Sequence, residues 1–312
     1  MSTARVPEHT ELPPPKVEEV SDGIFAYIQL DGSWGLNNTG FLVGSDAVIV
    51  IDTCFTERRS RMFHDAIRRL TDRPLRTLVN THHHGDHTHG NYVFLPAATI
   101  VGHELCRKEV IETGHSAKGL FPGVEWGEIK IAPPFVTFEE RLNLYVDDLK
   151  VELIYVGPAH TTNDVIVWVP ERKTLFAGDV IFNQGTPFAM MGSIAGWLDA
   201  LEVLRALGLE TIVPGHGPVC GPEVIDEVED YLRFVQETAR TGSEAGLTPL
   251  QTAQQTDLGR FSELLDGERL VGNLHRAYSE LRGERRGAPL SMAAVVPDIV
   301  TYNGGQMPRC LA

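Results

Sequence analysis

The six residues from His82 to His87 form the densest run of metal-binding side chains in the sequence. They read His-His-His-Gly-Asp-His and contain the pattern His-x-His-x-Asp-His, directly after an apolar segment. His82 and His84 are two residues apart, so in an extended segment their rings project to one side and can bind a single ion. Asp86 and His87 follow where the chain turns towards a helix, so they can reach a second ion nearby. The pattern predicts a metal site.

Three later residues supply the ligands that two imidazoles alone cannot provide. His160, Asp179 and His216 each lie where a predicted strand meets a loop, which is where a sheet protein assembles a site. The predicted ligands are two groups of three and one bridging carboxylate: His82, His84 and His160; Asp86, His87 and His216; and Asp179. Because all these donors are nitrogen or oxygen, the favoured cofactor is a pair of Zn²⁺ ions, with Fe or Mn less favoured.

Such a pair of ions can support two reactions. Ions that share a carboxylate lower the pKa of a shared water and polarise a carbonyl oxygen, which favours hydrolysis of a thioester or ester. Asp86 is the predicted catalytic residue, because it can steer the proton beside the nucleophile. The same Lewis acid can activate a ketone for attack by an enolate of the same chain, and a closed pocket brings the two reacting ends together. The site therefore predicts acyl hydrolysis and intramolecular aldol cyclisation.

Two further histidines of this segment, His83 and His89, are predicted to be solvated or supporting residues rather than ligands. A loop that is His-rich without a catalytic role is disfavoured, because His160, Asp179 and His216 recur at suitable positions along the chain.

Alternating strands and helices must position these residues. Strands are predicted at residues 24–30, 39–43, 47–51, 75–79, 99–102, 142–146, 149–156, 165–169, 174–176 and 211–213. Helices are predicted at residues 56–70, 104–113, 196–207, 223–241, 248–256, 261–265 and 268–281. Two such halves predict stacked sheets covered by helices on both outer faces. We expect a flexible N-terminal arm (1–20), a core (21–220) and a helical extension packed on that core (221–312).

Composition and charge exclude other classes of function. With 312 residues, 42% of them hydrophobic, and a net charge of −15, the chain is typical of a globular protein whose surface repels nucleic acid. It has neither a signal-like N-terminus nor the roughly 18 consecutive apolar residues of a membrane helix, so we expect a cytoplasmic protein with no membrane partner. The four cysteines are widely spaced, which predicts buried, reduced thiols.

The order and spacing of the ligand segments resemble the signature positions of the metallo-β-lactamase-fold superfamily over about residues 20–220. This resemblance implies an α/β fold, a four-layer αβ/βα sandwich, with a two-metal site at one edge of its sheets. It also implies that Asp52 binds no metal but accepts the second ring N–H of a ligand histidine. Asp179 stands where the best-known dizinc β-lactamases have cysteine, which favours the hydrolase-like majority of the superfamily.

Segments without predicted ligands carry a narrower resemblance. Residues 120–128, 186–189, 192–196 and 302–308 look like parts of the actinorhodin-type second-ring cyclases and thioesterases of bacterial aromatic polyketide pathways. The resemblance implies a dinuclear zinc enzyme that cyclises and dehydrates a poly-β-ketone and hydrolyses its thioester. The apolar residues expected to line its substrate pocket are Phe121, Trp126, Phe188, Met191 and Trp197.

One alternative stays open, namely a generic thioester or ester hydrolase of the glyoxalase II kind that acts on a small acyl thiol. A redox module is disfavoured, because the sequence has no Gly-rich phosphate loop for a flavin. The expected partners are a small-molecule or carrier-bound acyl thioester, with an acyl carrier protein and a homodimer left open.

Overall fold

A computed structural model describes residues 12–312 of the chain. The strands are β1 (Lys16–Ser21), β2 (Ile24–Ile28), β3 (Thr39–Val43), β4 (Val48–Ile51), β5 (Leu75–Val79), β6 (Thr99–His103), β7 (Val136–Phe138), β8 (Arg141–Val146), β9 (Leu149–Tyr155), β10 (Val165–Val169), β11 (Thr174–Phe182) and β12 (Thr211–His216). The helices are α1 (Glu57–Leu70), α2 (Gly85–Thr88), α3 (Glu104–Thr113), α4 (Ala117–Leu120), α5 (Ile194–Ala206), α6 (Val224–Glu244), α7 (Pro249–Gln255), α8 (Arg269–Leu281) and α9 (Met292–Tyr302).

The strands form two sheets. One has seven strands in the order β1 to β7, and the other has five in the order β12-β11-β10-β9-β8. Strands β4 to β7 are parallel neighbours, and so are β11 and β12. Since parallel strands end at the same edge of a sheet, the loops that follow β4, β5 and β6 lie together.

Apolar side chains pack the molecule into four layers. Leu42 and Val79 of the first sheet pack against Leu153 and Val167 of the second sheet. On the outer side of the first sheet, α1 packs its buried face, including Phe63, against the strands. The outer side of the second sheet is covered by α5, α6, α8 and α9. The predicted four-layer α/β sandwich is confirmed.

Part of the predicted N-terminal arm is ordered structure. Residues 1–11 lie outside the described part of the chain, but Lys16–Ser21 pairs with β2 across the Asp22-Gly23 turn. Val17 and Val20 pack on hydrophobic clusters of the core, so the segment is held by side chains as well as by backbone hydrogen bonds. The prediction of a loose arm is wrong for residues 16–20.

One further element of the helical extension, α9, was not among the predicted helices. It contains Pro297, which is unfavourable inside a helix, yet it buries Val295 and Ile299 against the same cluster as α8. Within residues 12–312, no helix combines the length and the apolar composition needed to cross a membrane.

Candidate metal centre

The seven predicted ligands converge at one edge of the two sheets. His82 and His84 follow β5, Asp86 and His87 lie in α2, and His160 lies between β9 and β10. The remaining two ligands lie inside strands, because β11 and β12 are longer than predicted. The β11 ladder is irregular at Gly178, whose φ of 50° favours glycine, and this kink directs Asp179 towards the other residues. His216 is the last residue of β12.

The first group consists of His82, His84, His160 and Asp179, whose ligand atoms lie within 4.8 Å of one another. His160 Nε2 is 2.9 Å from His84 Nδ1 and 3.2 Å from Asp179 Oδ2. His82 Nε2 is 3.9 Å from the same carboxylate oxygen. Three imidazole nitrogens and one carboxylate thus face a common point.

The second group consists of Asp86, His87 and His216, within the same 4.8 Å limit. His216 Nε2 lies 3.3 Å from Asp86 Oδ2 and 3.5 Å from Asp179 Oδ2. His87 Nε2 lies 3.1 Å from Asp179 Oδ1. Asp179 therefore has one or both oxygens near each group, as a bridging carboxylate requires. A side chain at Gly215 would collide with Asp179 Oδ1, so only glycine leaves room for this carboxylate.

Asp52 and Thr81 contact two of the ligand histidines at Nδ1, the ring nitrogen that faces away from the centre. Asp52 Oδ2 lies 2.8 Å from His87 Nδ1 and accepts a 2.7 Å hydrogen bond from Thr81 Oγ1. Thr81 Oγ1 in turn lies 3.1 Å from His82 Nδ1. Both rings thereby present Nε2 to the site, and this arrangement is characteristic of ligand histidines.

Backbone carbonyls hold two more histidines in the same orientation. Phe188 O lies 2.5 Å from His160 Nδ1, and Gly32 O lies 2.9 Å from His216 Nδ1. Neither these carbonyl groups nor Thr81 were predicted from the sequence as contacts of the ligand histidines. A carbonyl contact leaves no side-chain signal at its own position, whereas Thr81, directly before the histidine run, could have been considered.

The buried polar atoms of the centre fit a metal ion. His82 Nε2, His87 Nε2 and Asp179 Oδ1 are buried, and none of them forms a hydrogen bond with a described residue; the 3.1 Å contact between His87 Nε2 and Asp179 Oδ1 is a short contact without hydrogen-bond geometry. Leaving such atoms unpaired costs about 1–3 kcal/mol each, and a cation bound between them would satisfy all three. Neither group contains a thiolate. The donor set is therefore suited to a divalent metal ion, typically zinc.

Charge and burial determine the protonation of the centre. Burial lowers the pKa values of His82, His84 and His160, which favours the neutral imidazole that binds metals. Burial also opposes protonation of His216, but Asp179 and a second carboxylate outweigh it and raise its pKa to about 9. For Asp179, the desolvation caused by burial is outweighed by the nearby histidines, so its pKa lies well below the usual range.

His83 and His89 belong to neither ligand group, but they are buried rather than solvated. His83 Nδ1 lies 3.0 Å from Asn163 Nδ2. The His89 ring stacks on Phe55 with centroids 5.5 Å apart. Both residues were predicted to be either solvated or supporting, and these contacts agree with a supporting role.

A cavity of about 450 Å³ opens beside the metal centre. His84, Asp86, His160, Asp179 and His216 all reach its surface. Aromatic and methionine side chains form much of the wall: Trp34, Phe55, Phe121, Phe188, Met190 and Met191. Helix α9 and the following tail add Met292, Val296, Ile299, Met307 and Pro308. Asp86 has 14% of its side chain exposed and Asp179 only 4%, so Asp86 is the more accessible carboxylate.

Three of the five predicted pocket residues, Phe121, Phe188 and Met191, line this cavity, and two do not. Trp126 packs its ring edge-to-face against Phe55, with centroids 4.7 Å apart. Trp197 is fully buried behind His160, and its Nε1 donates a 2.9 Å hydrogen bond to Val180 O. The pocket prediction is corrected for these two residues, which support wall and ligand residues from behind.

A model of the family described as the metallo-beta-lactamase superfamily matches residues 32–216. The linear primary-alkylsulfatase of a Pseudomonas species is 23% identical over 68% of the chain. The 2,4-dinitroanisole O-demethylase subunit alpha of a Nocardioides species is 27% identical over 64% of the chain. The chain spans 48% and 55% of the lengths of these two relatives.

Two β-lactamases match over more of their own length. The type 2 metallo-beta-lactamase of Bacteroides fragilis is 21% identical over 72% of the chain and 88% of the relative. The crystal structure of the DIM-1 metallo-beta-lactamase superposes with a TM-score of 0.59 at 22% identity. That superposition covers 72% of this chain and 99% of the other, and it shows a shared fold.

Proposed function

Since the chain belongs to the metallo-beta-lactamase superfamily of metal-dependent hydrolases, we propose that it is a dinuclear zinc enzyme of aromatic polyketide biosynthesis. It cyclises and dehydrates a poly-β-ketone intermediate by an intramolecular aldol reaction and hydrolyses its thioester. The observation that carries the proposal is the adjacency of the ligand cluster to a cavity walled by aromatic and methionine side chains.

The ligand residues of the proposed centre are the two groups and the bridging carboxylate: His82, His84 and His160; Asp86, His87 and His216; and Asp179. When bound there, zinc ions would polarise a carbonyl oxygen and lower the pKa of a water molecule. Asp86 is the accessible carboxylate beside this position, so it steers the proton of the nucleophile or of the carbon acid.

The cavity wall binds and folds the substrate. Trp34 lies near Phe121 and Phe188, with ring centroids 5.7 and 5.1 Å away, and the rings are tilted or perpendicular. Such a wall favours flat, apolar groups and excludes water from the reacting carbonyls. A folded poly-β-ketone held against it has its reacting carbons close together, which replaces a slow encounter in solution.

The proposal is tested with two substrates and purified, zinc-loaded protein. A bicyclic polyketide thioester should be cyclised and hydrolysed, whereas lactoyl-glutathione should be a poor substrate. Turnover of lactoyl-glutathione alone would overturn the polyketide assignment and favour the small acyl thiol hydrolase.

A wall variant sharpens this test. Phe121→Ala should raise KM for the polyketide thioester and leave the zinc content unchanged, because Phe121 lines the cavity without belonging to a ligand group. Val203→Ala, on the exposed side of α5, is the matched control and should change neither quantity. His160→Ala should lower both zinc content and turnover.

A further inference from the structure

The loop between β11 and α5 joins the metal centre to the helical extension. It carries Phe188, whose carbonyl oxygen lies 2.5 Å from His160 Nδ1, and it also carries the wall residues Met190 and Met191. The direction of the Phe188 carbonyl therefore sets the orientation of the His160 ring, and with it the position of Nε2.

Helix α8 holds this loop through four side chains on one of its faces. Arg269, Asn273, Arg276 and Glu280 are spaced four, three and four residues apart, so they lie on the same side of the helix. Arg269 Nη1 donates to Thr186 O at 2.9 Å. At the other end, Arg276 Nη2 donates to Met190 O at 2.8 Å, and Glu280 accepts from Ser193 Oγ at 2.7 Å.

Asn273 forms hydrogen bonds with the loop on both sides of Phe188. Its Oδ1 accepts a 2.7 Å hydrogen bond from Ala189 N, and its Nδ2 donates a 2.8 Å hydrogen bond to Pro187 O. These are peptide groups adjacent to Phe188, so the amide limits rotation of the Phe188 carbonyl. Tyr231 Oη accepts a second hydrogen bond from Nδ2 at 3.0 Å and thereby fixes the amide itself.

Burial makes these contacts significant. Asn273 and Arg276 are each 1% exposed, and Arg269 is 2% exposed. Burying polar side chains is unfavourable unless their hydrogen bonds are made, and apolar residues would fill a helix interface more simply. The polar face of α8 instead fixes the backbone of one loop.

We propose that Asn273 is a positioning residue for the metal centre. Through Pro187 O and Ala189 N it holds the Phe188 carbonyl, and the carbonyl holds His160 so that Nε2 faces the first ligand group. Asn273 lies outside residues 32–216, the part of the chain that matches the family. The proposal rests on the metal centre of the proposed function but not on the substrate or the reaction.

The test measures metal affinity rather than turnover. Zn²⁺ dissociation constants are determined by competition with a chelator, and Co²⁺ absorption spectra report the ligand geometry. The leucine of Asn273→Leu has a similar volume but no hydrogen-bonding groups. The substitution should lower the affinity for one of the two ions by on the order of 10-fold and change the Co²⁺ spectrum. The other ion should be bound as in the wild type.

Tyr278→Phe is the matched control on the same helix. It removes a buried hydroxyl that contacts Thr252 Oγ1 and Leu247 O, away from the loop. It should lower stability without changing the affinity or the spectrum. Asn273→Asp keeps the acceptor for Ala189 N but cannot donate to Pro187 O. Its Zn²⁺ affinity should therefore fall between those of the wild type and Asn273→Leu. This variant replaces Asn273→Leu in the test if Asn273→Leu does not fold.

Wild-type affinity and spectrum in both Asn273 variants would overturn the inference. Equal weakening in Tyr278→Phe would also overturn it, because the effect would then follow from general destabilisation. A wild-type protein that binds neither Zn²⁺ nor Co²⁺ would overturn the proposed metal centre, and the inference with it.

Discussion

Asp52 follows β4 with a φ of 58°, in the left-handed region that few side chains adopt. Its carboxylate accepts hydrogen bonds from Thr81 N at 2.8 Å and Thr81 Oγ1 at 2.7 Å, and it lies 2.8 Å from His87 Nδ1. Aspartate and asparagine tolerate this backbone conformation better than most residues. A single residue thus connects the turn after β4 to the histidine segment after β5.

Asp52→Asn tests this connection with little disturbance of the backbone. The amide can keep one acceptor for Thr81, but it lacks the charge that favours the His87 N–H. We expect a loss of zinc affinity of about 10-fold to 100-fold, measured by chelator competition. Asp46→Asn is the control, because Asp46 is exposed and, within residues 12–312, its one ion pair is with Arg76, at 3.2 Å. Unchanged affinity in Asp52→Asn would show that His87 does not need this acceptor.

The four cysteines are free, as their spacing predicts; Cys54 and Cys106 are buried as expected, whereas Cys220 and Cys310 are partly exposed. Burial raises the pKa of Cys54, Cys220 and Cys310 to about 12 and that of Cys106 well above its usual value. The thiol form is thus favoured in the folded state. The contribution of these thiols to stability should be constant below about pH 9 and fall above it, because the unfolded thiols then ionise while the folded ones stay protonated.

Alkylation with iodoacetamide at pH 8, followed by mass spectrometry, checks the state of these thiols. We expect Cys54 and Cys106, which are fully buried, to stay unmodified in the native protein, since the thiolate is the reactive form. The same protein in guanidinium chloride should be modified at all four cysteines. Rapid native alkylation of Cys54 would contradict this assignment.

At the scale of elements, the start of α5 connects the loop between β11 and α5 to the helical extension. Ser193 Oγ accepts a 3.0 Å hydrogen bond from Gly196 N and donates a 2.7 Å bond to Glu280 Oε1. Ser193→Ala should lower the free energy of unfolding by about 1–2 kcal/mol, because a buried cap and a partner of a carboxylate are both lost. Chemical denaturation measures this change.

Thr248→Ala removes the corresponding cap of α7 at an exposed position, where water can replace the hydroxyl. Its effect should be about 0.5–1 kcal/mol. A larger loss of unfolding free energy in Thr248→Ala than in Ser193→Ala would contradict the view that the contact between α5 and α8 strengthens the Ser193 cap.

Elements with local sequence signals could be predicted, and those that depend on distant packing could not. The regular spacing of Phe63 and Ile67 predicts α1, and the ends of α1, α3 and α8 agree within one residue with the predictions. Helix α9 was missed because Pro297 interrupts its pattern, whereas burial of Val295 and Ile299 on the core stabilises it. β1 was missed because its pairing with β2 matters more than its charged composition.

The same distinction applies to the candidate site. The histidine run and three strand-associated residues point to one cluster because each side chain type is itself a metal donor. Trp126 and Trp197 were placed in the pocket because their apolar rings suit a flat substrate, but apolar character does not determine which way a ring faces. Their positions depend on Phe55 and Val180, which are distant in sequence.

At the scale of the whole molecule, the net charge of −15 and the charge of the metal centre have different physical origins. Most acidic residues lie on the surface, whereas Asp179, which is buried, and Asp86, which is partly buried, lie among histidines at a cavity with an apolar wall. Each divalent ion would cancel two negative charges at this point. A substrate in the cavity would therefore meet a local field opposite in sign to that of the average surface.

Metal binding should also be visible in the stability of the whole fold, since the ligands come from both sheets. A ligand that binds only the folded state stabilises it by about 2.7 kcal/mol per site at a free concentration of about 100 times Kd. Zn²⁺ added to chelator-treated protein should therefore raise Tm by on the order of 5 °C for each ion, measured by calorimetry. Mg²⁺ at the same concentration should have little effect, because imidazole-rich sites bind it poorly. In His160→Ala the shift should shrink, whereas in Asp46→Asn it should match the wild type. An equal Tm with and without Zn²⁺ would mean that the two ligand groups, although they lie at the junction of the sheets, do not bind metal in the folded protein.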